Sequence, residues 1–316
     1  MEKILITGAS GQLGIVLTKA LQKKYGVENV IASDISKSSN HEGVFEILNV
    51  TNYEAVDNCI SRHKITQVYH LVAILSAKGE ANPLNTWGIN MNTLFNVFEA
   101  SRLNGVKKVF YPSSIAVFGE DIEYINTPQS PNLTPLTVYG MSKAAGENWA
   151  NYYYKKYGLD IRSVRYPGVI GYQSLPGGGT TDYAVSIFHS AVKNEDFNCF
   201  LESSTTLPMI FMDDAIRATL ELMDAPKENI KVRTSYNLAG MSFNPKQIYD
   251  SIKKINPNFK ISYTPDFRQE IANSWPKSID DSQARKDWGW QPKYNLDTMS
   301  KEMMENLKEY YNLVSV

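Results

Sequence analysis

Cysteine and histidine are both scarce in this chain of 316 residues. The two cysteines, Cys59 and Cys199, cannot supply the disulfide framework on which small secreted folds depend, and each reads as a small buried side chain. The four histidines, His41, His63, His70 and His189, include no two at metal-ligand spacing, and no cysteine is near enough to join them. No metal site is expected, which excludes a zinc-type alcohol dehydrogenase. His70 lies in an apolar strand pattern and reads as a core residue. No apolar run approaches the ~20 residues needed to span a bilayer. A formal net charge of −1 gives no electrostatic reason for nucleic acid or an acidic membrane to bind. Internal repeats, low-complexity tracts and linkers are absent. The first strand pattern begins at Lys3, so no signal or transit peptide is expected and the cytoplasm is the expected location.

What is present is an ordinary globular composition, 43% hydrophobic and 21% charged, long enough for about two domains. Strand and helix patterns alternate from residue 3 to about 166. Strands are expected at Lys3–Thr7, Asn29–Ser33, Gly43–Leu48, Gln67–Leu71, Lys107–Pro112 and Asp160–Tyr166, with helices between them that include Leu84–Asn104 and Thr137–Tyr157. This alternation predicts an α/β fold, a doubly wound parallel sheet of Rossmann type with ligands at its carboxyl edge. The regular alternation ends at Pro167–Gly171. A glycine-rich loop, Leu175–Asp182, follows and reads as a lid or a plain connection. Later elements are a helix at Phe211–Asp224, a strand at Ser235–Ala239 and a terminal helix at Leu296–Tyr311. The expected division is residues 1–171 plus 211–240 as a dinucleotide-binding domain and 172–210 plus 241–316 as a smaller α/β substrate lobe.

Four motifs carry chemistry. Gly8, Gly11 and Gly14, spaced G-x2-G-x2-G between the first strand and an amphipathic helix, form a dinucleotide-binding opening whose helix N-terminus faces a pyrophosphate. Asp34 ends the second strand twenty residues after Gly14. An acid there accepts hydrogen bonds from the adenosine ribose and repels a 2′-phosphate, favouring NAD over NADP, although Lys37 could recruit such a phosphate. Ser114 ends a strand at the ligand edge. Tyr139 and Lys143 are four apart, so on a helix they share a face. An ammonium beside a phenol lowers its pKa, and a tuned tyrosine can then take a proton from a substrate hydroxyl. Alone, each motif has an ordinary structural explanation: a turn aspartate, capping serines, a surface tyrosine and lysine.

In order and spacing together, these motifs resemble the extended short-chain dehydrogenase/reductases. Tyr69–Ala73 is similar to that family's fourth-strand segment, with Val72 where a second alanine is usual. Asn90 matches its helix asparagine, and Asp280–Pro292 its C-terminal signature. The resemblance implies a cofactor site built from Gly8, Gly11, Gln12, Leu13, Gly14, Asp34, Leu71, Ala73, Asn90, Tyr139, Lys143, Tyr166 and Ile170, with the nicotinamide near Tyr166–Ile170. It implies catalysis by Ser114, Tyr139 and Lys143, and a homodimer packed through the helices around 90–104 and 139–156.

Most members of that family act on nucleotide sugars and hold the diphosphate with an arginine in an R-D-Y-I-H-V-x-D-x-A segment. Here Thr206 stands at the arginine position and Ile210 at the histidine position. A diphosphate wants a fixed cation, so their absence argues against a nucleotide sugar. Ile115 stands where a dehydratase would have its acid. Instead, Pro176–Ala184, Leu207–Leu220 and Ser274–Asp281 resemble the short-chain-type L-threonine 3-dehydrogenases. That resemblance implies oxidation of L-threonine at C3 to 2-amino-3-ketobutyrate with hydride transfer to NAD. Ser76, Ser114, Tyr139, Gly179, Thr180, Thr181 and Trp275 are then the expected substrate contacts. The rival readings are a nucleotide-sugar epimerase or dehydratase with an unusual phosphate site, and a non-catalytic NAD-binding regulator.

Overall fold

A computed structural model of the chain describes residues 2–37 and 41–314. Its elements begin with strand β1 (Ile4–Thr7), helix α1 (Gln12–Tyr25), β2 (Val30–Asp34), β3 (Val44–Ile47), α2 (Tyr53–His63) and β4 (Gln67–His70). A one-turn helix, α3 (Ser76–Gly79), leads into α4 (Pro83–Leu103), followed by β5 (Lys108–Phe110), β6 (Ser113–Ser114) and α5 (Val138–Tyr157). The strands β7 (Asp160–Arg162), β8 (Val164–Tyr166) and β9 (Gly168–Ile170) come in quick succession. The remainder comprises α6 (Tyr183–Lys193), β10 (Phe197–Cys199), β11 (Leu207–Phe211), α7 (Met212–Asp224), β12 (Tyr236–Asn237), β13 (Met241–Phe243), α8 (Pro245–Lys253), β14 (Ile261–Tyr263), α9 (Arg268–Asn273), α10 (Ser282–Trp288) and α11 (Leu296–Val314).

The central sheet runs β3-β2-β1-β4-β5-β7, every pair parallel. The chain winds outward in both directions from β1, so the switch point lies between β1 and β4, where Thr7 is level with His70. In a doubly wound sheet the ligand crevice opens at that point, beyond the carboxyl ends of the strands. The strands read as apolar runs because both faces are covered: Ile4, Leu5 and Ile6 are completely buried, Leu5 on one face and its two neighbours on the other.

Two expectations need correction. The stretch Asp160–Tyr166 is not one strand: it breaks at Ser163, so that β7 stays with β5 while β8 pairs with β6 and β12 in a second, three-stranded sheet. Pro167–Gly171 does not merely end the alternation. It contains β9, which pairs in parallel with β11, itself antiparallel to β13. Both outcomes are set by partners distant in sequence. A further core, distinct from those flanking the central sheet, gathers α6, α8, α11 and Trp275. No helix among the described residues is long and apolar enough to cross a membrane.

Candidate active site

A cavity of about 260 Å³ opens at the carboxyl edge of the sheet, between the glycine turn after β1 and the loop before α6. Its floor is the turn itself. The Gly14 position admits no side chain, since a Cβ there would lie 2.2 Å from the Gly8 carbonyl oxygen. Helix α1 can therefore seat directly on the turn. No side chain caps α1 and no acid occupies its first turn, so its free N–H groups and positive dipole end face the cavity, which Gly11, Gln12 and Leu13 line. This is the electrostatic environment an anionic pyrophosphate requires.

Asp34 sits beside this turn rather than in the cavity wall. Its carboxylate accepts from the Ser10 amide at 3.0 Å and the Ile35 amide at 2.7 Å. The Lys37 ammonium stands 5.8 Å from the Phe45 ring centre. Leu71, Ala73 and Tyr166 line the cavity. Asn90 and Ile170 do not. Asn90 exchanges hydrogen bonds with the Ile74 backbone at 2.8 and 3.2 Å and donates to Ser142 at 3.1 Å, which ties the loop after β4 to α5. Ile170 is buried in the core.

Helix α5 brings the proposed proton-handling groups together. Thr137 caps it through the Gly140 amide at 3.0 Å. A Cβ on Gly140 would lie 2.0 Å from the Ala116 carbonyl oxygen, so only glycine lets the helix approach the turn after Ser114 this closely. Tyr139 and Ser114 both line the cavity, and the Ser114 hydroxyl accepts from the Ala116 amide at 3.2 Å. Lys143, 3% exposed, donates to the Pro112 carbonyl at 2.6 Å and lies 4.5 Å from the Tyr111 ring centre and 5.6 Å from that of Tyr139.

The electrostatics differ from the simple expectation that Lys143 lowers the Tyr139 pKa. Burial pushes the Tyr139 phenol up to about 12, offset only in part by the neighbouring Ser114 hydroxyl. Burial brings the Lys143 ammonium down to about 7, against the opposing attraction of Glu147. Desolvation outweighs the neighbour effect at both groups. His70 is buried as expected of a core residue, brought down to about 3 by burial and by the charge of Lys143, and its Nδ1 is paired with the Thr7 hydroxyl at 2.8 Å.

Sequence reasoning missed a buried ion pair beneath the site. Arg165 on β8 grips Glu147 on α5 in bidentate fashion, at 2.9 and 2.7 Å, and the Ser113 hydroxyl donates to the same carboxylate at 2.6 Å. Glu147 lies one turn beyond Lys143, and that i+4 spacing was the only local signal. On the opposite wall, Ser76 and Thr180 place their hydroxyl oxygens 3.3 Å apart, and Gly179, Thr181 and Trp275 complete the lining. Among the described residues no cluster of histidine, cysteine or acids could hold a metal.

Residues 4–239 match the model of the NAD dependent epimerase/dehydratase family. The chain belongs to that family. An uncharacterized epimerase/dehydratase of Staphylococcus aureus (strain USA300) is 43% identical, with 98% of each chain covered. The holo form of the GalE-like L-threonine dehydrogenase from Cupriavidus necator is 52% identical over 97% of this chain and 100% of its own, with a TM-score of 0.95. A monomeric L-threonine 3-dehydrogenase from a metagenome database is 46% identical over 97% and 99% of the two chains, also with a TM-score of 0.95.

Proposed function

We propose that this protein is an NAD-dependent L-threonine 3-dehydrogenase. The observation that carries the reading is the cavity itself. It joins a bare helix N-terminus and glycine turn, fit for a pyrophosphate, to a Ser114–Tyr139–Lys143 group facing the hydroxyl-rich wall of Ser76, Thr180 and Thr181. That wall suits a small zwitterion bearing a secondary alcohol, and relatives of near-identical fold are named for this activity. A nucleotide sugar is opposed by Thr206 and by Ile210, the latter fully buried in β11 and unable to meet a diphosphate. A non-catalytic regulator has no need of a half-buried tyrosine and a buried lysine aimed at one cavity.

In the proposed mechanism Gly8, Gly11, Gln12, Leu13 and Gly14 hold the cofactor's pyrophosphate, and Asp34 its adenosine ribose. Leu71, Ala73 and Tyr166 border its nicotinamide end. Asn90 acts on the site through the Ile74 loop, and Ile170 through packing behind β9. NAD, when bound, supplies the hydride acceptor and a positively charged ring. Ser114 orients the C3 hydroxyl of threonine. Tyr139 takes the hydroxyl proton, and Lys143 positions the cofactor ribose. Gly179, Thr180, Thr181 and Ser76 receive the amino and carboxylate groups, with Trp275 as the aromatic wall.

The division into a cofactor domain (1–171 plus 211–240) and a substrate lobe (172–210 plus 241–316) is supported by the core of α6, α8 and α11, although Ile115–Phe118 and Ile170 join that core from the cofactor side and Ala284 and Trp290 join a core of the central sheet from the lobe side. A homodimer through α4 and α5 is supported by exposed Leu84, Trp87, Trp149 and Tyr152 on those helices, and light scattering tests it. A cytoplasmic location accords with two buried, unpaired thiols.

The direct test mixes the protein with NAD and L-threonine and follows NADH absorbance, with L-allo-threonine and L-serine as controls. Threonine-dependent NADH formation that collapses in Tyr139→Phe while NAD still binds is the expected result. No NADH from protein that binds NAD refutes the reading.

A further inference from the structure

Asp182 occupies the N-cap position of α6, where an aspartate ordinarily turns its carboxylate onto the amides of the helix's first turn. It makes no such side-chain cap. The Val185 and Ser186 amides at that end go to its backbone carbonyl instead, at 3.1 and 2.9 Å. The carboxylate turns backward. Oδ2 accepts from the Gly178 amide and from the Gly179 amide, both at 2.7 Å, and the Gly177 amide adds a weaker contact. Consecutive glycines have no conformational preference strong enough to hold a shape alone, and Gly178 sits at φ +95°, a conformation unfavourable to other residues. The loop's next residue, Thr180, is 1% exposed and meets Ser76 across the cavity.

We infer that Asp182 is a positioning residue: its carboxylate gathers the amides of the 177–179 loop and thereby fixes Gly179, Thr180 and Thr181 against the cavity. A free triglycine would sample many states, and the substrate wall would have to be ordered anew at each binding event. Satisfying several converging amides with one charged acceptor uses the stronger class of hydrogen bond. The competing role is a direct ion pair with a cationic group of the substrate, since Asp182 also borders the cavity. The inference rests on the proposed function for its kinetic arm only.

The two roles separate under substitution. An amide oxygen in Asp182→Asn still accepts from the loop but carries no charge; Asp182→Ala does neither. Under the latch, Asp182→Ala raises KM for L-threonine on the order of 10- to 100-fold, with NAD affinity unchanged, because misplacement of contacts by about 1 Å costs that much. Asp182→Asn retains most of the wild-type KM. Hydrogen exchange on the protein alone supplies the second arm: amides 177–179 exchange faster in Asp182→Ala than in wild type, and near the wild-type rate in Asp182→Asn. If Asp182→Asn is as impaired as Asp182→Ala, or if exchange at 177–179 is the same in Asp182→Ala and wild type, the latch is overturned. A wild-type protein that binds NAD and leaves threonine untouched refutes the proposed function separately, and the exchange arm still decides the latch.

Discussion

Lys143 should destabilise the fold it serves, and the cost should depend on pH. The ammonium is drawn from an ordinary value of 10.5 down to about 7 by burial, with 3% of the residue exposed, so solvent screening offers little relief. At ~1.4 kcal/mol per unit, holding it charged in the native state below pH 7 costs about 5 kcal/mol relative to the unfolded chain. This is an upper bound, because the Pro112 carbonyl accepts from the ammonium. Between pH 7 and pH 10.5 the unfolded chain binds the proton and the native protein does not, so stability rises with pH through that window. At pH 9.5 the remaining cost is about 1 kcal/mol. Lys143→Met removes the charge and retains an apolar stem against Tyr111. It leaves the Pro112 carbonyl without its donor, a loss of about 1–3 kcal/mol. The net expectation is that Lys143→Met is more stable than wild type by about 2–4 kcal/mol at pH 6, with the advantage shrinking by about 3 kcal/mol at pH 9.5. Urea unfolding of both proteins at the two pH values measures this. Equal differences at both, or a less stable variant at pH 6, would show that the buried lysine is not paying a desolvation cost and would refute the reasoning. The same variant is expected to lose catalytic turnover.

Two further substitutions probe the floor and the foundation of the site. Asp34→Ala removes the carboxylate at the end of β2 and should lower the kcat/KM preference for NAD over NADP by roughly 10-fold or more, the worth of a hydrogen bond to a charged group; an unchanged ratio would leave Asp34 as only the tie between the Ser10 and Ile35 amides. Glu147→Gln strands the buried Arg165 guanidinium and should cost about 3–5 kcal/mol in urea unfolding. A loss smaller than about 1 kcal/mol would mean that the Gln129 and Asn237 contacts suffice to hold Arg165.

What could be read from the chain is what local chemistry determines. The glycine turn, α1 and α5 follow from short-range spacing: three glycines between a strand and a helix, and Tyr139 and Lys143 one turn apart. The core strands follow from apolar runs. The break at Ser163 could not be read, because nothing in Asp160–Tyr166 says that its two halves belong to different sheets; that is decided by β5 on one side and by β6 and β12 on the other. Strand β9 was hidden for the same reason. Pro167 and Gly171 carry turn chemistry, and the strand between them exists because β11 lies alongside. The Glu147–Arg165 pair joins residues eighteen apart that meet only once α5 lies over β8. Facing directions were equally silent: Asn90 turns to the Ile74 loop and Asp182 to the glycines behind it.

The charge states of the tyrosine and lysine are the sharpest instance, because spacing gives proximity without dielectric. Two groups one helical turn apart in water would remain a neutral phenol and an ammonium, since an exposed i,i+4 interaction of about 0.5 kcal/mol shifts a phenol of pKa ~10 by well under one unit. Shielded from solvent in this site, each moves toward its neutral form, to about 12 and about 7. With the protein's own groups alone, at neutral pH the phenol is almost entirely protonated. Lowering its pKa by 4–5 units corresponds to about 6 kcal/mol. Burial draws Lys143 toward its own neutral form, which weakens the help its charge can give. A positively charged nicotinamide bound in this cavity would favour the phenolate and also the neutral lysine. The strength of the base would then be tied to cofactor binding as well as to the residues around it.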